Sequence, residues 1–182
     1  VTDRVIEALL LTMIHEAPRV IEDPNNYEAR ANIMWAGMMA HNNCCGVGRV
    51  QDWASHDIEH ELSATYDCAH GAGLAVIMPA WMEYVYRHDV LRFAQMATRV
   101  WGCEMNFSNP AVTAREGIKR FRNFLHDIGM PITFEELGAK ESDIPYLVKT
   151  FGLGEGETSG FVHLKSEDIE NIYRLAVNPK LL

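Results

Sequence analysis

The sequence lacks the patterns that would place it in several common classes of protein. No apolar run reaches the roughly 18 residues of a membrane-spanning helix. No basic block or stripe is present, and the net charge is −9, so we expect neither a membrane nor a nucleic acid as a partner. The 4 cysteines include no C-x2-C pair, which argues against a structural zinc site or a disulfide framework and favours reduced thiols in a cytoplasmic protein.

Strand-like alternation of apolar and polar residues is also missing, except over the short stretch 160–164. Almost every other segment has apolar residues at helical spacing, and turn or cap signals separate these segments. The chain has 182 residues, of which 48% are apolar, enough for one well-packed domain. The sequence therefore predicts an all-α fold.

The apolar spacing predicts helices over about 27–42, 51–66, 70–86 and 90–101, and later helices that begin near Pro110 and Ser166. Pro79 is expected to kink or split the third of these. An earlier helix, around Val5–Ile14, is apolar almost all round and is predicted to be buried. The methionines of the 27–42 helix are predicted to fill the core.

The most informative segment, 52–71, contains His56, His60 and His70. His56 and His60 are four residues apart and share one helix face, and His70 follows a break in the helix. Neutral imidazole is a common ligand of zinc and also suits iron, and a helix–turn–helix corner can bring His56 and His70 together. A catalytic metal needs at least three protein ligands, but no nearby carboxylate is convincingly placed, although Asp52 lies one turn before His56.

Two functional motifs begin in or near this segment, but both are incomplete. His60-Glu61 would begin the H-E-x-x-H helix of a zinc protease, but position 64 is alanine. Gly46-Val47-Gly48 has no third glycine and no preceding strand, so it is not a dinucleotide motif. The residues alone leave open ordinary surface histidines, a stand-alone helical metal-binding or interaction domain, and a metal-dependent hydrolase.

Three stretches resemble the iron-containing (group III) alcohol dehydrogenases, in particular their butanol dehydrogenase and aldehyde reductase branch: residues 51–71, Tyr27–Ala36 and Leu74–Trp81. The resemblance extends over essentially the whole chain. It implies the multi-helical, dehydroquinate synthase-like C-terminal domain of that family, spanning 1–182 as a single metal-binding domain. Because the chain begins with Val1 near a helix start, we expect a piece of a longer protein whose N-terminal α/β dinucleotide-binding domain is missing here.

By motif match, the resemblance implies that His56 and His70 bind Fe(II) or Zn(II). It implies that His60 lies beside the nicotinamide and the substrate, as a catalytic and cofactor-binding residue that does not bind the metal. The family's Asp-x3-His element, which supplies two further ligands, has no match in this sequence. The implied reaction is hydride transfer between NADP or NAD and a primary alcohol or aldehyde, in a cytoplasmic homodimer. Trp53 and Trp81 are expected either to line an apolar pocket or to pack in the core.

Overall fold

The computed structural model describes residues 1–179, and within that range it contains α-helices and two short 3₁₀ turns but no strand. The predicted all-α class is confirmed. No helix in this range is both long and apolar enough to cross a membrane. The predicted domain also includes residues 180–182, which lie outside the described range. The helices are α1 (Thr2–Glu22), α2 (Tyr27–His41), α3 (Ala54–Tyr66), α4 (His70–Val85), α5 (Val90–Arg99), α6 (Pro110–Asp127), α7 (Phe134–Leu137), α8 (Ile144–Phe151) and α9 (Ser166–Val177).

Helix α4 lies at the centre of the core and packs against α3, α6 and α9. Its buried face includes Val76 and Ile77, and Tyr173 of α9 is the largest fully buried side chain. Pro79 is buried within α4, and the helix continues past it to Val85. Of the two effects predicted for Pro79, the split is therefore wrong, and the kink stays a prediction. Packing on several sides holds the helix together where one backbone donor is missing.

Helices α1 and α2 form a hairpin that packs mainly against itself. Among the described residues of α1, only Glu16 is buried, and in α2 the side chains of Met34 and Trp35 are 73% and 64% exposed. The predictions of a buried first helix and of core methionines in α2 are therefore wrong. Each helix buries one stripe against the other, and its remaining apolar residues stay at the surface.

The N-terminal turn of α1 is tied to the rest of the molecule by ion pairs. The Asp3 carboxylate accepts hydrogen bonds from Arg92 at 2.7 Å and from Arg49, also at 2.7 Å. Gln95 donates to the same carboxylate at 3.0 Å. These contacts connect the hairpin to α5 and to the loop that leads into α3.

The helix that carries two of the three histidines begins later than predicted. Asp52 accepts a hydrogen bond from the Ala54 amide at 2.9 Å, so its side chain caps the first turn and α3 starts at Ala54. The helix ends at Tyr66, and the next residue, Asp67, has a φ of 51°, a left-handed conformation that is uncommon outside glycine. This turn leads directly into α4, whose first residue is His70.

Candidate metal centre

The corner between α3 and α4 brings the three histidines side by side. The ring centroids of His56 and His70 are 5.4 Å apart, and those of His60 and His70 are 5.3 Å apart. His56 and His60 lie one turn apart on α3, and His70 faces them from the first turn of α4. All three predicted site residues thus meet in one place, and the division of roles among them stays a prediction.

A buried carboxylate, that of Glu59, belongs to the same cluster although the sequence analysis did not identify it. Glu59 is fully buried, and its carboxylate accepts a hydrogen bond from the Ser63 hydroxyl and contacts His70 Nδ1. Ligand atoms of Glu59, His60 and His70 lie within 4.8 Å of one another. Helical spacing does contain a signal for this residue, because Glu59 falls on the same face as the buried residues Ser55 and Leu62.

Asp52, the acidic residue considered as a further ligand, is engaged elsewhere. One carboxylate oxygen caps α3, and the other accepts a hydrogen bond from the Phe161 amide at 2.6 Å. Asp52 therefore joins the start of α3 to the loop before α9, and the possibility that it supplies a metal ligand is not supported.

The environment of His56 favours a neutral imidazole. Burial lowers the pKa of His56, and the neighbouring imidazoles of His70 and His60 lower that pKa further. Neutral imidazole is the form that binds a metal ion. Within residues 1–179, the buried Nδ1 atom of His56 has no hydrogen-bond partner, which is rare for a buried polar atom and is typical of a site that binds a water or an ion.

A cavity of about 540 Å³ opens beside His56. Trp53 and Trp81 both line it, and Trp81 also packs against the buried core, so each of the two sequence expectations holds for at least one of them. Arg49 and Trp81 are two further residues that line this cavity, and their Nε and Nε1 atoms are also buried without a partner in the described part of the chain. Buried polar atoms without a partner are uncommon in folded proteins.

On the other side of Trp53, His60 lines a second depression of about 590 Å³. Its rim includes Glu61 and, from the loop between α8 and α9, Glu157 and Ser159. His60 itself is exposed. The histidine cluster is therefore accessible from two sides, an aromatic cavity next to His56 and a more open, polar surface next to His60.

Residues 1–177 match the model of the family described as the Fe-containing alcohol dehydrogenase family, C-terminal. The chain belongs to this family. The resemblance identified from the histidine spacing is thus confirmed, and the helical fold is that of the C-terminal part of an Fe-containing alcohol dehydrogenase.

Two relatives illustrate how similar this chain is to other Fe-containing alcohol dehydrogenases. It is 37% identical over 176 residues to the NADH-dependent butanol dehydrogenase A of Clostridium acetobutylicum, covering 96% of this chain and 45% of the relative. It is 38% identical over 152 residues to the NADPH-dependent aldehyde reductase of Escherichia coli, covering 82% of this chain and 38% of that protein.

The structural similarity is equally extensive. The crystal structure of NADH-dependent butanol dehydrogenase A from Thermotoga maritima superimposes with a TM-score of 0.91 at 36% identity, covering 97% of this chain and 46% of that one. The substrate- and cofactor-free aldehyde reductase of E. coli gives a TM-score of 0.88 at 32% identity, with 96% of this chain and 46% of that chain covered. The chain therefore spans less than half the length of these Fe-containing alcohol dehydrogenases.

Proposed function

We propose that this chain is the metal-binding half of an NAD(P)-dependent alcohol dehydrogenase or aldehyde reductase. The observation that carries the proposal is the convergence of His56, His60 and His70 at the α3–α4 corner, where His56 has a buried ring nitrogen without a partner in the described residues and a lowered pKa. The relatives are butanol dehydrogenases and an aldehyde reductase. They support a dehydrogenase over a hydrolase or a stand-alone metal-binding domain.

In this proposal His56 and His70 bind Fe(II) or Zn(II). Their side chains fit such an ion because imidazole is a ligand for both metals and because the two ring centroids lie 5.4 Å apart at the corner. When bound, the metal ion supplies Lewis acidity, which polarises an aldehyde carbonyl or favours the alkoxide of an alcohol. Further ligands would come from a part of the enzyme that precedes this domain.

His60 acts on the substrate and the cofactor in this proposal. It lies next to His70, is exposed, and lines the polar depression that shares Trp53 with the aromatic cavity. From there its imidazole orients the reacting oxygen or moves a proton to or from it near neutral pH. The aromatic side chains of Trp53 and Trp81 hold the carbon chain of the substrate and keep water away from it.

The dinucleotide would be held by a second domain. The relatives with NADH or NADPH in their names are about twice as long as this chain, which leaves room in them for such a domain. We therefore propose a small primary alcohol or aldehyde as the substrate, NADP or NAD as the hydride carrier, and a homodimer as the assembled enzyme.

The test is aldehyde reduction by the protein expressed from its complete gene. We expect oxidation of NADH or NADPH that depends on butanal, stops after treatment with a chelator, and returns when Fe(II) or Zn(II) is added. His60→Ala should lower turnover by about 10²- to 10⁴-fold, the usual contribution of a group that transfers a proton. Turnover that persists in the chelator-treated enzyme, or none with either dinucleotide, would contradict the proposed function.

A further inference from the structure

Within residues 1–179, the fully buried carboxylate of Glu59 has two polar side-chain partners, and one of them is a proposed metal ligand. Its two oxygens meet the Ser63 hydroxyl and His70 Nδ1. Burying an unpaired carboxylate is strongly unfavourable, so these two contacts are what makes its position tolerable. His70, in contrast, is exposed over 46% of its side chain. The buried carboxylate of Glu59 is therefore held in place by its surroundings, and it in turn restrains the exposed ring of His70.

The backbone of α4 is shaped to accommodate this carboxylate. A Cβ atom at position 73 would lie 2.6 Å from Glu59 Cγ and 2.8 Å from Glu59 Cδ, so the side chain fits only because residue 73 is glycine. Gly73 is itself buried, three residues after His70. Glu59 is thus enclosed by α3 and the first turn of α4, next to the ring that it contacts.

We propose that Glu59 is a positioning residue for His70, which orients the imidazole so that Nδ1 carries the proton and Nε2 faces the metal ion. The inference rests on the proposed function, in which His70 is a metal ligand. An ionised carboxylate only accepts hydrogen bonds, so the His70 nitrogen that contacts it must be the donor. The other nitrogen then keeps its lone pair for a metal. Histidine ligands in metal sites are commonly oriented in this way by a carboxylate.

The same contact argues against Glu59 as a ligand in its own right. Its oxygens are already occupied by Ser63 and by His70 Nδ1, although they lie close enough to His60 and His70 for all three residues to share an ion. A ligand and a positioning residue differ in what their loss does. Removing a ligand abolishes metal binding, whereas removing a partner of the ligand typically weakens it by about 10- to 100-fold.

The first test is the tautomer of His70 in the metal-free protein, read from long-range ¹H–¹⁵N correlation spectra recorded at about pH 8, above the usual pKa of an imidazole. The His70→Ala spectrum assigns the signal. We expect the proton on Nδ1 in the wild type and in Glu59→Gln, whose amide oxygen still accepts a hydrogen bond. In Glu59→Leu the proton should no longer be confined to Nδ1. A wild-type ring protonated on Nε2, or an unchanged tautomer in Glu59→Leu, would overturn the proposal.

The second test is competition for Zn²⁺ with a chromophoric chelator. Glu59→Leu should bind zinc about 10- to 100-fold more weakly than the wild type, with Glu59→Gln in between. Glu167→Gln, an exposed carboxylate on α9, is the matched control and should behave as the wild type. If Glu59→Leu loses zinc as completely as His70→Ala, Glu59 is a ligand and the proposal is wrong. It is also wrong if Glu59→Leu binds zinc as tightly as the wild type.

Two further comparisons separate a positioning role from a folding defect and from failure of the proposed function. Circular dichroism checks that each variant is helical. Should Glu59→Leu fail to fold, the wild type, Glu59→Gln and Ser63→Ala still decide the tautomer, because Ser63→Ala removes only the other donor and should keep the proton on Nδ1. If His70→Ala binds zinc as the wild type does, the proposed metal site fails, while the spectra still decide whether Glu59 orients His70.

Discussion

Gly73 and Gly71 lie two residues apart in the first turns of α4 and differ in what a side chain would meet. A Cβ at position 73 would press against the fully buried Glu59, whereas one at position 71 meets no atom within 4 Å. Gly73→Ala should therefore lower the free energy of unfolding by about 1–3 kcal/mol. Gly71→Ala should leave it unchanged or raise it by up to about 1 kcal/mol, because alanine favours helix.

Urea denaturation of the two alanine variants checks this difference. The His70 tautomer should also change in Gly73→Ala, since the displaced Glu59 no longer meets Nδ1. Equal stability of the two variants would show that Glu59 has room to move aside and is not held in place by α4.

At the scale of single residues, the histidines could be predicted and their buried partner could not. His56, His60 and His70 are identifiable because imidazole at that spacing is uncommon without a metal. Glu59 was not identified because a glutamate between two histidines resembles the other acids of this helix, Asp57 and Glu61, until its burial is known. Asp52 was recognised as lying close to His56, but one of its two hydrogen bonds, from the Phe161 amide, depends on a loop 109 residues away in sequence.

At the scale of helices, the contacts that join α1 to the rest of the molecule should depend on pH because they centre on one carboxylate, that of Asp3. Hydrogen bonds from Arg92, then Arg49, then Gln95 hold the pKa of Asp3 well below the usual carboxyl range. A carboxyl group whose pKa is lower in the folded state stabilises that state above its unfolded pKa, and this stabilisation is lost as the pH falls. Asp3→Asn should therefore reduce stability at neutral pH, and less so in acid.

Chemical denaturation across a pH series measures the difference between the wild type and Asp3→Asn. It should stay constant from about pH 7 to 5 and shrink as the pH falls below the ordinary carboxyl pKa of about 3.9. Glu22→Gln, which changes an exposed carboxylate at the other end of α1, is the matched control. A difference that is the same at every pH would show that the ionised form of Asp3 is not what joins α1 to α5.

The helices themselves could be predicted from local sequence, but their neighbours could not. Apolar periodicity and cap residues predicted α2 and α4 to within a residue or two, because these signals act within a single helix. The burial of α1 was predicted wrongly because an apolar helix surface shows only that packing against another element would be energetically favourable. The position of that partner is a property of the fold, and here α2 covers one stripe of α1 while Leu11 remains 44% exposed.

On the scale of the whole molecule, the chain has the fold of the C-terminal part of an Fe-containing alcohol dehydrogenase and spans about 45% of such relatives. The proposed metal site lies at the corner between α3 and α4. Family and fold class could be inferred from the sequence because the histidine motif and the helical spacing agree. The two cavities that share Trp53 could not, since each is formed by segments that lie far apart in the sequence.

The central claim is that His56 and His70 bind the metal ion while His60 does not. Metal content after dialysis, measured by mass spectrometry for each alanine variant of the protein expressed from its complete gene, tests it most directly. The account predicts that His56→Ala and His70→Ala lose iron or zinc, and that His60→Ala keeps the metal but turns over slowly. Loss of metal in His60→Ala together with retention in His56→Ala would contradict the account and would favour Glu59, His60 and His70 as the ligand set.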